Sequence, residues 1–98
     1  MTPEQEIYKK AIEFWGIRFQ ADMMIEECAE LIKAICAVYR GRGTEFDIAE
    51  EVADVEIMCG QMRYVLGDDI VDQFKTEKLV RLKQRIEKAN DTRRKKRT

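Results

Sequence analysis

Two pairs of acidic residues lie in segments whose apolar periodicity is that of amphipathic helices. Glu27 and Glu30 form the first pair, and Glu51 and Asp54 form the second. Each pair has i, i+3 spacing, which brings two carboxylates to one face of a helix. The periodicity places these acids beside the apolar stripe of each helix instead of opposite it. Because unpaired buried carboxylates are costly, the pattern predicts that they are protonated, ion-paired or bound to a cation.

A divalent cation is the first expectation for these acids. Four inward carboxylates on two helices supply the hard oxygen ligands that magnesium prefers, and manganese is a plausible substitute. The alternative is a set of salt bridges between helices, with Lys33, Lys78, Arg81 or Arg85 as the cations. Four inward acids exceed what packing needs, so the sequence favours the metal site.

The composition narrows the chemistry further. The 98 residues include no histidine, which removes Ser-His and Cys-His nucleophiles and the Glu-x-x-His motif of di-iron bundles. The three cysteines, Cys28, Cys36 and Cys59, lack the spacing of a zinc cluster and are expected to be buried thiols in a reducing compartment. Nothing resembles a signal peptide or a membrane span, so the sequence predicts a cytoplasmic protein without a membrane partner.

Four helices with short connections are expected to position the acids. The first begins with the capping box Thr2-Pro3-Glu4-Gln5, and Thr44 is the expected N-cap of the third. The predicted helices run to Gly16, from about Arg18 to Tyr39, from about Glu45 to Leu66, and from Asp68 to about Ala89 or Asn90. No strand pattern is present, so the predicted fold is all-α, an antiparallel four-helix bundle.

The charge pattern predicts one domain and a tail. The formal net charge is −1, but residues 93–97 carry five positive charges, so the rest of the chain carries −6. Residues 1–90 are expected to form a single helical domain, and residues 91–98 a basic, disordered tail. A solvated tail is favoured over an arm for nucleic acid, which is not an expected partner.

The order and spacing of the acids resemble a known family. Glu26-Glu27-x-x-Glu30, followed after 20 residues by Glu51-x-x-Asp54, is similar to the signature of the MazG-like all-α nucleoside-triphosphate pyrophosphohydrolases. Trp15-Gly16 and Lys78-Leu79-Val80-Arg81 also resemble segments of that family. The resemblance covers most of the chain from Ile7 to Lys88, and it is closest to the small, single-domain members.

The resemblance implies a reaction and a set of ligands. The reaction is hydrolysis of a nucleoside triphosphate, or a deoxynucleotide, to the monophosphate and pyrophosphate with magnesium as the cofactor. The implied metal ligands, which are also the catalytic residues, are Glu27, Glu30, Glu51 and Asp54. Which nucleotide is hydrolysed does not carry over, because the small members differ in substrate.

The resemblance also implies substrate contacts. Lys78 is expected to contact a phosphate, with Arg81 as second choice, and Gln20 is expected to contact the base. For Lys78 the alternative is a side chain whose aliphatic stem covers apolar surface. Phe14, Trp15 and Phe19 are expected to pack in the core instead of stacking on a base.

Assembly is expected from the resemblance and from the residues themselves. Family members form dimers or dimers of dimers, which implies a homodimer or homotetramer. Ile57 and Tyr64 make a second apolar face on the third helix, and such a face usually packs against a partner. These two residues are therefore expected in or near the subunit contact.

Two other functions remain open at this point. One is phosphoribosyl-ATP pyrophosphatase, which has a related helical architecture and similar chemistry. The other is a non-catalytic helical module that binds its partner through the basic tail. The first requires the acids and a metal, whereas the second requires only the tail.

Overall fold

The computed structural model describes residues 1–97, which form four α-helices and no strand. The helices are α1 (Pro3–Trp15), α2 (Ile17–Tyr39), α3 (Glu45–Leu66) and α4 (Asp68–Arg97). The all-α class is therefore confirmed. None of these helices is both long enough and apolar enough to cross a membrane.

Capping residues explain where the first and third helices begin. The Thr2 hydroxyl accepts from the Gln5 N–H at 3.1 Å, and the Thr2 N–H donates to Gln5 Oε1 at 2.8 Å. Thr44 and Asp47 repeat this exchange before α3, at 3.4 and 2.9 Å. Both satisfy backbone N–H groups that have no partner inside the helix, so both predicted caps are confirmed. Gly16, at φ 89°, separates α1 from α2 in a conformation that favours glycine.

The end of α4 differs from the expectation. The sequence predicts a helix end near Ala89 or Asn90 followed by a disordered tail, but α4 continues through Arg97. The expectation of a disordered tail is therefore wrong for residues 91–97, while Thr98 lies outside the described residues. Cations near a helix C-terminus interact favourably with the helix dipole, and this accounts for a basic segment that extends the helix.

The chain divides into two compact units at Gly67. The first unit, Met1–Leu66, contains α1, α2 and α3, and the second contains α4. Within the first unit, α3 packs against both α1 and α2. The arrangement of all four helices as one antiparallel bundle stays a prediction.

Tyr8 on α1 explains a glycine within α3. A Cβ at Gly60 would overlap the Tyr8 ring, so this contact between helices requires glycine. Tyr8 is buried with Ile12 and Met58 in the apolar core of the first unit. Its hydroxyl donates to the Glu4 carboxylate, and this bond, together with burial, raises the pKa of Tyr8 to about 12.

Much of the apolar sequence stays outside this core. Phe14, Trp15 and Phe19 are exposed, so the expectation that they pack in the core is wrong. Phe14 and Trp15 form an edge-to-face pair, with ring centroids 5.0 Å apart. Cys36 and Cys59 are exposed and Cys28 is half-buried, which corrects the expectation of three buried thiols.

Candidate metal centre

The site lies in the seam where α2 packs against α3. Gln20 meets Gln61, and further along the seam Glu27 meets Asp54. The residue number increases along α2 as it decreases along α3, so these two helices run antiparallel. Seven residues separate the positions on each helix, which is two turns and keeps the side chains on one face.

Three of the four predicted ligands come together at this seam. Glu27, Glu51 and Asp54 each offer one carboxylate oxygen, and these oxygens lie within 4.8 Å of one another. We call these three residues the acid cluster. All three side chains are half-buried. The arrangement fits a hard divalent cation, because it provides oxygen donors from two helices within reach of one ion.

Burial and like charges raise the pKa values of two members of the acid cluster, Glu27 and Glu51. Partial burial is the largest cause that raises the pKa of Glu27, followed by the charges of Asp54, Glu26 and Glu30. Burial also leads the causes that raise the pKa of Glu51, followed by the charges of Asp54 and Glu27. A salt bridge to lysine or arginine would act in the opposite direction. The acid cluster therefore favours binding of a proton or a metal cation.

Glu30 occupies a different position from the other three acids. It is exposed, which corrects the expectation that all four carboxylates point inward. Its charge still raises the pKa values of both Glu27 and Glu51, so it lies close enough to act on the acid cluster. Glu30 also lines a pocket that it shares with Glu51. Its role as a fourth ligand stays a prediction.

Gln20 is part of a buried polar chain in the same seam. Gln20 is 6% exposed and Gln61 5%, and Gln20 Nε2 donates to Gln61 Oε1 at 2.5 Å. Gln61 Nε2 in turn donates to Met58 Sδ at 3.6 Å. The Gln20 amide is thus engaged between the helices, and its contact with a base stays a prediction.

Gln61 is a seam residue that sequence reasoning missed. Asp47, Asp54 and Gln61 follow one another at seven-residue intervals on α3. That spacing of polar residues is a signal in the sequence, because positions seven apart share a helix face. On the expected apolar stripe of α3, Val52, Cys59 and Leu66 are exposed, whereas Ile48, Val55 and Met62 are half-buried.

Lys78 and Arg81 belong to the second unit. Both are exposed residues of α4. Lys78 lies on an apolar surface of that helix, beside Phe74 and Leu82. This surface suits the aliphatic stem of the lysine, whose charged end reaches solvent. Phosphate contacts by Lys78 and Arg81 stay predictions.

No family model, curated protein or solved structure matches this chain. Any function assigned to it rests on the acidic motifs, their spacing and the geometry of the acid cluster.

Proposed function

We propose that this protein is a magnesium-dependent nucleotide pyrophosphohydrolase, which cleaves a nucleoside triphosphate or deoxynucleotide to the monophosphate and pyrophosphate. The observation that carries the proposal is the acid cluster, three convergent carboxylates from two helices in a chain without histidine. Carboxylates can hold a metal ion that activates water for the hydrolysis of a phosphate anhydride. Such a reaction does not require histidine as a general base.

In this proposal the acids bind the metal, the cations contact phosphate, and the buried amides position the two helices. Glu27, Glu51 and Asp54 hold the magnesium, with Glu30 as the fourth ligand at the solvent side. When bound, the ion would supply Lewis-acid polarisation of the phosphoryl oxygens and would orient the attacking water. Lys78 and Arg81, on α4 of the second unit, are proposed as phosphate contacts on the strength of the resemblance alone. The buried amides of Gln20 and Gln61 hold α2 and α3 in the register that brings the acids together.

A screen of pyrophosphate release tests the reaction. Each common nucleoside and deoxynucleoside triphosphate, together with phosphoribosyl-ATP, is incubated with the protein, with and without millimolar magnesium. We expect release from at least one nucleotide, only when magnesium or manganese is present. Selective cleavage of phosphoribosyl-ATP would favour the alternative pyrophosphatase. Absence of release from all of these compounds would contradict the proposal.

The same function is proposed to operate in a homodimer or homotetramer in the cytoplasm. Ile57 is 47% exposed and Tyr64 37%, and they lie seven residues apart on α3. Ile25, Ile32 and Tyr39 are exposed at the same spacing on α2. Seven-residue apolar spacing is typical of contacts between packed helices, so these faces support association with a second copy. The free cysteines are compatible with a reducing compartment.

Light scattering tests the assembly at micromolar concentration. We expect at least a dimer for the natural chain, and dissociation when Tyr64→Glu places a charge in the contact, because desolvating an unpaired carboxylate opposes association. Circular dichroism checks that the variant keeps its helices. A stable monomer of the natural chain would show that the proposed assembly is wrong.

A further inference from the structure

A pocket of about 240 Å³ adjoins the acid cluster where α2 turns into α3. Glu51 belongs to both the pocket and the acid cluster, and Glu30 lies on the pocket wall. A ligand held at the acid cluster therefore has direct access to this space. The pocket is smaller than the roughly 300–1,000 Å³ of typical sites for whole small molecules, so it suits a fragment of a ligand.

Two cations from different elements line this pocket. Lys33 comes from α2, three residues beyond Glu30, and Arg42 comes from the connection to α3. Within residues 1–97, neither side chain lies within 4.0 Å of a carboxylate, although three carboxylates line the same pocket. Both cations are exposed and available to an incoming anion.

The remaining wall consists of small residues. Ala34, Ala37 and Gly43 line the pocket and fill little of its space. A Cβ at Gly43 would lie 3.4 Å from both Ala37 Cβ and Asp47 Oδ2, so even one added carbon would tighten the wall. Lysine and arginine facing a small, open pocket are suited to phosphate oxygens, which accept charge-assisted hydrogen bonds.

We propose that Lys33 and Arg42 form a binding subsite for the diphosphate end of the substrate, which leaves as pyrophosphate. This inference rests on the proposed function, and it assigns residues that neither the acidic motifs nor the resemblance singles out. Glu30, Asp47 and Glu51 give the pocket more negative than positive charge. Diphosphate therefore binds well only when magnesium neutralises the acid cluster beside it.

Calorimetry with inorganic pyrophosphate at micromolar concentration tests the subsite without turnover. We expect the natural protein to bind pyrophosphate in magnesium, and much more weakly without it. The double variant K33M/R42M should lose about tenfold or more in pyrophosphate affinity, because both charge-assisted contacts are removed. Its affinity for magnesium alone should not decrease, which shows that the fold and the acid cluster are intact.

Two further variants make the measurement specific. K9M/R18M removes the same charge from half-buried Lys9 on α1 and exposed Arg18 on α2, which pair with Glu13 and Asp22 outside the pocket, and it should bind pyrophosphate like the natural protein. K33R/R42K keeps both charges and should recover much of the lost affinity. Equal affinity in K33M/R42M and the natural protein, or an equal loss in K9M/R18M, would overturn the subsite. Equal binding without magnesium would overturn its coupling to the acid cluster.

The outcomes separate this inference from the proposed function. If no nucleotide is hydrolysed but K33M/R42M still loses magnesium-dependent pyrophosphate binding, the subsite stands and the hydrolase proposal fails. If nucleotides are hydrolysed and K33M/R42M binds pyrophosphate normally, the hydrolase proposal stands and the subsite is wrong. Failure of the natural protein to bind pyrophosphate would also overturn the subsite.

Discussion

Two polar groups share the seam between α2 and α3, and they differ in charge and in burial. The pair of Gln20 and Gln61 is buried, neutral and joined by a hydrogen bond. The acid cluster, two turns away or about 10 Å along the helix, is half-buried and carries like charges. Among the described residues, no buried side-chain nitrogen or oxygen lacks a hydrogen-bond partner. The amide pair is therefore complete within the protein.

This difference indicates separate roles along one interface. A buried, satisfied polar pair favours a single register of two helices, since any slip leaves polar groups without partners. Burial and neighbouring negative charges raise the pKa values of Glu27 and Glu51, so binding of a proton or a cation lowers the free energy of the acid cluster. We infer that the amide end of the seam specifies structure and the acid end binds a ligand.

Removing one acid should have the largest effect on activity. Glu51→Gln keeps the shape of the side chain and removes a metal ligand. We expect kcat/KM for nucleotide hydrolysis to fall about 100-fold or more, because metal assistance contributes several kcal/mol to the transition state. Without metal, the variant should unfold at a higher temperature than the natural protein, because one repulsive charge is gone.

Glu50 provides a matched control for this substitution. It is the exposed neighbour of Glu51 on α3, and it lies outside the acid cluster. Glu50→Gln makes the same chemical change and should leave kcat/KM within about twofold. Equal activity of Glu51→Gln and the natural protein would contradict the metal role of Glu51, as would an equal loss in Glu50→Gln.

Breaking the amide pair should reduce stability first and activity second. Gln61→Leu leaves the buried Gln20 amide without its acceptor, and such an unsatisfied group costs about 1–3 kcal/mol. Urea unfolding should show this loss. The double variant Gln20→Leu/Gln61→Leu should recover much of it, because two apolar side chains of similar size fill the same space without unpaired polar atoms.

The double variant also tests whether the amide pair positions the acid cluster. If the amides set the register, its magnesium affinity should fall even where its free energy of unfolding is restored. A variant that is stable and binds magnesium normally would show that apolar packing alone positions the acid cluster. In that case the register role of Gln20 and Gln61 would be wrong.

The helices follow from local signals in the sequence, and most of their ends do too. The Thr2 and Thr44 caps and the glycines after the first two helices predict boundaries close to those observed. These signals involve residues three or four apart, so a single segment contains all the information. The end of α4 was missed, because a basic segment was interpreted as a solvated tail.

The pairing of Glu51 with Asp54 could be predicted because residues with i, i+3 spacing are neighbours on any α-helix. Glu27, Glu51 and Asp54 converge as expected, whereas the exposure of Glu30 depends on how α2 is rotated against α3. The pocket with Lys33 and Arg42 depends on the turn between the helices, which the periodicity does not describe.

The smallest expected effect is a pH-dependent difference in stability between the natural protein and a variant whose acid cluster is partly neutralised. Glu27→Gln/Glu51→Gln keeps both side-chain shapes and removes the two carboxyls whose pKa values are raised. In metal-free buffer at pH 7, the natural protein should be less stable than this variant. The reason is that raised folded-state pKa values make the ionised carboxylates unfavourable in the folded protein.

The difference in stability should shrink as the pH falls. The relevant pH range lies between the raised pKa values of the two glutamates in the folded protein and their unfolded value near 4.5. In this range the folded protein binds protons that the unfolded chain does not. Lowering the pH therefore stabilises the natural protein relative to the variant. Magnesium at pH 7 should shrink the same difference by binding the folded natural protein alone. Urea unfolding at several pH values, with chelator or magnesium, measures both effects. If the difference in stability stays constant with pH and with magnesium, the acids are solvated independently of one another. The inference that the acid end of the seam binds a ligand would then be wrong.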